Sequence, residues 1–304
     1  MPNKIAMEHT FRSRRDACLI ETTPLRQLLD DTQASSTLRI IDMRGTILPA
    51  NQPKPWYIAE REAYKQGHIP GAVFVDWLED IVDLQAEVKM TPAGPEQFSS
   101  LMGRLGISNE HQIVIYDSSG GRPAARLWWL LRYYGHDRVR LLNGGWTKWE
   151  EEGHPVSNEV NHYETTVFEV QQSPAWRTDA AQVLKSIEQE SVSLMDCRSK
   201  KLYDGEVTRG EKKGHIPGAH SVPMSSLVEG PHKIWKSHDS LRQIFEDAGI
   251  KSGQKVVTYC NGGVSSSTGL FALYMTGFDD VANYAGSWFD WEKDPSHPIE
   301  CSFN

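Results

Sequence analysis

Short apolar runs alternate along the chain with longer segments in which apolar residues recur at helical spacing. The runs 113–116 and 256–259 are rich in β-branched and aromatic residues, which is typical of buried strands. Each run leads through a turn rich in Gly and Ser into an apolar segment with helical spacing, at 124–135 and at 266–277. Strands that alternate with helices in this way indicate an α/β fold, with a mostly parallel sheet and helices on both of its faces.

The same order of elements occurs twice in the chain. The residues at 67–72, Gly-His-Ile-Pro-Gly-Ala, recur unchanged at 214–219. A strand-like run that ends in an acid, any residue and an arginine precedes each copy, with Asp42 and Arg44 in the first half and Asp196 and Arg198 in the second. Similarity that extends over a whole series of elements indicates an internal duplication.

Each half closes with a pair of tryptophans three residues apart. These are Trp146 with Trp149, and Trp288 with Trp291. The stretch between the two halves contains two prolines and little helical pattern, which favours a linker. The sequence therefore predicts one domain over 20–153, a linker over 154–175 and a second domain over 176–300.

The composition excludes several classes of function. The 304 residues include 32 Lys and Arg against 40 Asp and Glu, a formal net charge of −8, whereas nucleic-acid binding requires clustered basic residues. No apolar run reaches the roughly 18 residues that a membrane span needs. Residues 1–15 carry four basic residues but no apolar stretch of the secretory kind. We therefore expect neither a nucleic-acid partner nor a membrane, and a cytoplasmic location, with a weak organellar transit peptide as the alternative.

The four cysteines give no sign of a metal site. Cys18, Cys197, Cys260 and Cys301 lie far apart and none forms a Cys-x-x-Cys pair. This spacing indicates neither a zinc site nor a dense disulfide framework. Each cysteine is then either a small core residue or a reactive thiol, and its sequence context must distinguish the two.

Cys260 has the context of a reactive thiol. It follows a strand-like run and precedes two adjacent glycines, Gly262 and Gly263, and then an apolar helical segment. Adjacent glycines let successive backbone N–H groups turn toward one point, and the helix adds the positive end of its dipole. Such a loop stabilises an anion at the cysteine without a metal or an organic cofactor. A buried structural cysteine at a strand end is the alternative interpretation.

Two kinds of chemistry use a cysteine in such a loop. Cysteine phosphatases need an arginine six positions after the cysteine to hold the phosphate. Ser266 stands at that position, and no arginine occurs over 261–277. Sulfur transfer needs only a thiolate that attacks a sulfane sulfur and amides that stabilise the resulting persulfide anion. The loop therefore favours sulfur transfer over hydrolysis of phosphate esters.

Together these features resemble the rhodanese family. They are the duplicated layout, the repeated hexapeptide, the acid-x-Arg strand ends, the loop 260–265 and the Tyr-x-Gly-Ser-Trp-x-x-Trp closure at 284–291. More narrowly, they resemble its two-domain thiosulfate and 3-mercaptopyruvate sulfurtransferases, over nearly the whole chain after residue 20. The resemblance implies an α/β fold of two tandem rhodanese-like domains, each a mostly parallel sheet flanked by helices. It also implies that the N-terminal domain, which has Asp117 in place of the cysteine, is catalytically silent.

The resemblance extends to individual residues of the site. It implies that Cys260 carries the sulfur as a persulfide, within a cradle of backbone amides and the last loop hydroxyl formed by Asn261, Gly262, Gly263, Val264 and Ser265. Arg198 matches the family's arginine that anchors the donor anion, with a structural ion pair as the alternative, and Arg209 is a second candidate. His68 matches the histidine that faces the cysteine in the mercaptopyruvate branch, although its recurrence as His215 favours a structural role.

The implied reaction moves sulfur from a small anionic donor, thiosulfate or 3-mercaptopyruvate, to cyanide, a thiol or a protein acceptor. Asn261 and Gly262 replace the cationic pair typical of thiosulfate-preferring members. They also differ from the Gly-Ser-Gly-Val of the mercaptopyruvate branch, so the donor stays open. Asp117 indicates that the fold persists without a nucleophile. A non-catalytic module that binds anions or partners is therefore the alternative function.

Overall fold

The structure is a computed structural model that describes residues 14–302. Residues 1–13, which include most of the basic N-terminal segment, lie outside the described part. Within that part, no helix has the length and apolar character needed to cross a membrane.

The N-terminal half contains a parallel sheet and its flanking helices. Its strands are β1 (Leu19–Ile20), β2 (Leu38–Asp42), β3 (Gly45–Ile47), β4 (Tyr57–Ala59), β5 (Ala72–Phe74), β6 (Gln112–Tyr116) and β7 (Val139–Leu142). Its helices are α1 (Thr22–Asp30), α2 (Thr32–Thr37), α3 (Arg61–Gln66), α4 (Pro95–Arg104), α5 (Arg122–Tyr133) and α6 (Gly145–Glu151).

The C-terminal half repeats this plan. Its strands are β8 (Arg177–Thr178), β9 (Val192–Asp196), β10 (His220–Ser221), β11 (Val228–Glu229), β12 (Ile234–Trp235), β13 (Lys255–Tyr259) and β14 (Val281–Tyr284). Its helices are α7 (Ala180–Ser186), α8 (Lys200–Asp204), α9 (His238–Asp247), α10 (Val264–Met275) and α11 (Ser287–Trp291), with short 3₁₀ turns at Pro174–Trp176 and Met224–Ser226.

The two sheets have the same strand order. The N-terminal sheet runs β5-β2-β6-β7-β1 and the C-terminal sheet runs β10-β9-β13-β14-β8, with parallel pairing throughout. The predicted fold class is confirmed. The central strands β6 and β13 end immediately before Asp117 and Cys260. Both residues therefore lie at the carboxyl edge of a parallel sheet, where ligands bind in such folds.

The interface between the halves is built from the two helices that follow these strands. Nearly every residue of α5 and α10 is buried, as expected for helices that are covered on all sides. The Trp128 ring of α5 meets the Phe271 ring of α10 edge to face, with centroids 4.9 Å apart. One apolar core extends across both halves through this contact, and it fixes the two loops relative to each other.

Two antiparallel hairpins cover these loops from the opposite half. The β3–β4 hairpin of the N-terminal half reaches over Cys260, and the β11–β12 hairpin of the C-terminal half covers the loop after Asp117. Residues 154–173, all within the described range, contain no helix or strand element. The bridge between His68 and Ser157 and the buried Phe168 hold this segment against the first domain. The exact domain limits remain predictions.

Candidate active site

The loop that carries Cys260 is held by the tryptophan-containing closure of its own domain. The Cys260 N–H donates to Ser287 Oγ at 3.1 Å, and the Cys260 carbonyl accepts from the Trp288 N–H at 3.0 Å. The Asn261 carbonyl accepts from the Phe289 N–H at 2.9 Å. The Gly-Ser-Trp closure recognised in the sequence therefore has a positional role, because α11 fixes the backbone on both sides of the thiol.

Glycine is required at position 263 on two grounds. Its φ of 81° lies in the left-handed region, which side chains disfavour. A Cβ there would lie 2.3 Å from Arg126 Nη1 and 2.8 Å from the Ala285 carbonyl. Asn261, Gly262, Val264 and Ser265 line the cavity in front of Cys260, whereas Gly263 lies behind the loop. Four of the five residues predicted to form the cradle therefore line the cavity, whereas Gly263 serves the turn and the domain interface.

Arg198 forms a buried ion pair with Asp196. Its Nε and Nη2 donate to the Asp196 carboxylate, and Nη2 also donates to the Gly214 carbonyl at 2.8 Å. The guanidinium stacks on Trp288 at 4.5 Å, and the side chain is 2% exposed. Although burial opposes its charge, Asp196 raises the pKa of Arg198.

The N-terminal domain, which has Asp117 in place of the cysteine, repeats these contacts, which indicates that they are structural. Arg44 pairs with Asp42, donates to the Gly67 carbonyl at 2.5 Å and stacks on Trp146 at 4.2 Å. The acid-x-Arg motif thus ties the strand end to the Gly-His-Ile-Pro-Gly-Ala turn in both halves. Arg198 lines the cavity, but its contacts favour the structural alternative over the predicted donor anchor.

His68 lies away from Cys260. Its side chain is fully buried, Nδ1 bonds with the Tyr64 carbonyl at 2.8 Å and Nε2 with the Glu159 carbonyl at 3.0 Å. In the other half, His215 Nδ1 bonds with the Tyr203 carbonyl in the same way. His68 does not line the cavity around Cys260. The candidate role facing the cysteine is therefore corrected in favour of the structural role that the recurrence as His215 favours: Nδ1 makes the bond that both domains share, and Nε2 bonds with the segment that follows the first domain.

In the matching loop of the N-terminal half, the Asp117 carboxylate accepts hydrogen bonds from backbone N–H groups of its own loop. Oδ1 accepts from the N–H groups of Ser119 and Gly121 at 2.8 and 2.9 Å, and Oδ2 accepts from the Ala124 N–H at 3.1 Å. Burial raises the pKa of Asp117, and these hydrogen bonds oppose the shift. Trp235 and Lys233 close the space around it to about 10 Å³, near the least that one water needs. No substrate has room there.

The loop at Cys260 opens instead onto a cavity of about 460 Å³. The N-terminal half contributes the tip of the β3–β4 hairpin, Tyr57 and Met90 to its wall. Its charged lining residues, among those the structure describes, are Arg122, Arg198, Lys201 and Arg209. A cavity lined by cations without a carboxylate suits an anionic ligand, even though the chain as a whole is acidic.

Two arginines from different halves face this cavity. Arg209 crosses the interface to the Leu48 carbonyl and stacks on Tyr57 at 5.2 Å. Its Nη1 is buried without a hydrogen-bond partner. Arg122 is bound through Nε to the Ser119 carbonyl at 3.1 Å. Burial lowers the pKa of Arg122, Asp117 raises it and the like charge of Arg209 lowers it again. Both arginines therefore line the same cavity and carry like charges that act on each other.

Arg209, a candidate from the sequence, lines this cavity, and the structure adds Arg122, which follows the Asp117 loop in the chain. Because Arg122 begins α5, the packing of α5 against α10 carries it to the cavity of the other domain.

Cys18 and Cys197 are buried. Burial raises the pKa of Cys18 to about 11 and that of Cys197 well above its usual range. In the described part of the chain, no group of His, Cys, Asp or Glu is placed to hold a metal ion.

Proteins of known sequence match both halves. Residues 22–152 and 179–294 each match the family described as rhodanese-like domain. Sulfur carrier protein TtuD of Thermus thermophilus is 37% identical over 249 residues, 78% of this chain and 86% of that protein. Thiosulfate sulfurtransferase of Rattus norvegicus is 33% identical over 280 residues, 90% of this chain and 91% of the relative.

Solved structures share the architecture. SseA from Escherichia coli, described among 3-mercaptopyruvate sulfotransferases, superposes with a TM-score of 0.77 at 28% identity, over 89% of this chain and 98% of that one. EanB in complex with ergothioneine gives a TM-score of 0.81 at 23% identity, over 95% of this chain and 71% of that one, a likeness of fold alone. With both halves matched by the family and by relatives above 30% identity, the chain belongs to the rhodanese-like family.

Proposed function

We propose that this protein is a sulfurtransferase that carries a sulfane sulfur as a persulfide on Cys260. One observation carries the proposal: the thiol stands at the end of a buried strand, inside a loop whose backbone is fixed from both sides, and it faces a cavity lined by cations. The matching loop of the other half already holds an anion, the Asp117 carboxylate, on three backbone N–H groups. A loop of this kind therefore suits an anionic sulfur.

The first half-reaction loads the enzyme. With thiosulfate, the Cys260 thiolate attacks the outer sulfur, a new S–S bond forms, and the old S–S bond breaks with its electron pair leaving on sulfite. With 3-mercaptopyruvate, the thiolate attacks the thiol sulfur and the C–S bond breaks. The pyruvate enolate leaves with that electron pair and takes up the proton of the donor thiol. Both routes end in the same Cys260 persulfide anion.

The second half-reaction unloads the enzyme. A nucleophile such as cyanide or a thiolate attacks the outer persulfide sulfur, and the Cys260 thiolate leaves with the electron pair of the S–S bond. The relative named sulfur carrier protein supports a protein acceptor as one candidate. Because the carrier must be a reduced thiol at the start of each cycle, we place the protein in a reducing compartment, the cytoplasm.

The proposal predicts an isolable sulfur-loaded enzyme. Purified protein is incubated with thiosulfate, and separately with 3-mercaptopyruvate, and its intact mass is recorded. We expect a gain of one sulfur atom with at least one donor and a return to the starting mass after cyanide is added, with thiocyanate formed in equal amount. The donor that loads more efficiently identifies the substrate class. No gain with either donor would favour the non-catalytic module.

Arg122 and Arg209 are proposed to hold the donor anion. Arg209→Gln is expected to raise the KM for the donor about tenfold with little change in kcat, because one charge-assisted hydrogen bond to the donor is lost. Arg122→Gln is expected to act in the same direction. Steady-state kinetics with the better donor, at saturating cyanide, give both constants.

Arg104→Gln is a suitable control for these variants, because Arg104 lies on the exposed side of α4 and bonds only with Ser100 among the described residues. Its KM should equal that of the wild type. An unchanged KM in both the Arg122 and Arg209 variants would remove these residues from the donor site and return attention to Arg198.

A further inference from the structure

Arg126 is a fully buried cation located directly behind the Cys260 loop. It belongs to α5 of the silent domain, and its side chain crosses the interface to the catalytic half. Nη1 donates to the Gly263 carbonyl at 3.1 Å and Nη2 donates to the Met90 carbonyl at 2.8 Å, while Nε is buried without a partner. Its exposure is 0%.

No carboxylate among the described residues forms an ion pair with Arg126. Its remaining contacts are neutral carbonyls and the Trp129 ring, 4.9 Å from the guanidinium. Burial lowers the pKa of Arg126 to about 10, and the strongest opposing influence is the negative charge of Cys260. A buried charge without a counter-ion costs several kcal/mol, and the loop that Arg126 binds through the Gly263 carbonyl is the loop that carries the Cys260 thiol.

The two halves differ at the helix position that Arg126 occupies. The helices α5 and α10 have equal lengths, and the position in α10 that matches Arg126 holds Thr268. The silent loop contains a carboxylate that its own amides satisfy, and the matching helix position of the catalytic half is neutral. The catalytic loop contains a thiol, and the silent half supplies it with an arginine. Of the two matching helix positions, only the one beside the loop that carries the thiol thus holds a cation.

We infer that Arg126 is a positioning residue that acts across the domain interface: its buried charge stabilises the anionic sulfur of Cys260, and its bond to Gly263 holds the loop around that sulfur. The inference rests on the proposed function for its purpose. The silent domain then has an active part in the reaction, because it contributes the counter-charge of the nucleophile.

Other titratable and charged side chains also surround Cys260. The titratable and charged side chains near it, from the elements packed around the loop, are Tyr57, Arg122, Arg126, Cys197, Arg198, Lys201 and Arg209. Arg198 is neutralised by Asp196, whereas Arg122, Lys201 and Arg209 line the open cavity. Arg126 alone in this set combines full burial with the lack of a carboxylate partner.

The test measures the Cys260 anion directly and needs no sulfur donor. In a Cys301→Ser background, the rate of alkylation by iodoacetamide is followed against pH, and the modified residue is identified by peptide mass. Arg126→Met and Arg126→Gln should both move the half-maximal pH upward by about one unit and slow alkylation near neutrality about tenfold. Arg126→Lys, which keeps the charge, should stay close to the parent profile.

Arg132→Gln is the matched control, since Arg132 lies on the same helix and stacks on Trp128 and Tyr274 away from the loop. It should leave the profile unchanged. Met at position 126 keeps the buried volume, and Gln keeps a donor for the Gly263 carbonyl, so at least one neutral variant should fold. A neutral variant that folds and has the parent profile overturns the inference. Failure of sulfur loading in the parent would instead contradict the proposed function and leave this test valid.

Discussion

Cys260→Ser is expected to lower sulfur transfer from thiosulfate and from 3-mercaptopyruvate by at least about a thousandfold, as loss of a nucleophile does in other covalent mechanisms. A serine hydroxyl is not ionised near neutral pH, and the loop cannot make it a sulfur carrier. The mass of the variant should therefore not change with either donor. Its circular dichroism and thermal unfolding should match those of the wild type, because the loop is held through backbone atoms of residue 260.

Cys197→Ser provides the control for this experiment. Cys197 is 1% exposed, and its thiol donates to the Met195 carbonyl of β9 and lies against Gly269 of α10, so its replacement should leave sulfur loading intact. Substantial transfer by Cys260→Ser would contradict the persulfide mechanism at this residue. Loss of transfer in Cys197→Ser with a preserved fold would indicate that a second thiol takes part.

The fold and the position of the candidate nucleophile could be predicted from the sequence because the chain contains two copies of one pattern that can be compared with each other. Two copies of one pattern show which features belong to the scaffold, and the exchange of Asp117 for Cys260 at matching strand ends shows where the copies differ. The hexapeptide turn was already interpretable as structure from its presence in both halves. These signals are local in sequence, since they depend on strand period, glycine position and helix spacing.

The contacts between the halves could not be predicted in the same way. Arg126 reaches the Cys260 loop because α5 packs against α10, and Met90 reaches it from a turn of the N-terminal half. Sequence spacing carries no information about these contacts. Arg198 was assigned to the donor because an arginine near an anion site has an obvious use. Its buried pairing with Asp196, repeated by Arg44, becomes visible only in three dimensions. A comparison of Arg126 with Thr268 was the one available sequence signal for the buried cation.

The silent loop provides the remaining physical argument about how these loops hold negative charge. The Asp117 side chain takes the place that a bound anion would occupy. Its carboxylate accepts hydrogen bonds from three backbone N–H groups that would otherwise be buried without partners. Such donors cost about 1–3 kcal/mol each when left unsatisfied. Aspartate at this position therefore stands where the other half has the cysteine, and it also lets the loop fold without a ligand.

Asp117→Ala is accordingly expected to lower the free energy of unfolding by about 3 kcal/mol, because the buried N–H groups lose their acceptors and the closed space admits at most one water. Asp117→Asn should cost about 1 kcal/mol, since Oδ1 retains two of the three bonds and only the Ala124 N–H meets a donor. Urea unfolding followed by tryptophan fluorescence measures both variants against wild type. If alanine proves as stable as aspartate, the amides of this loop do not require an anion. The same argument for the Cys260 loop would then lose its internal support.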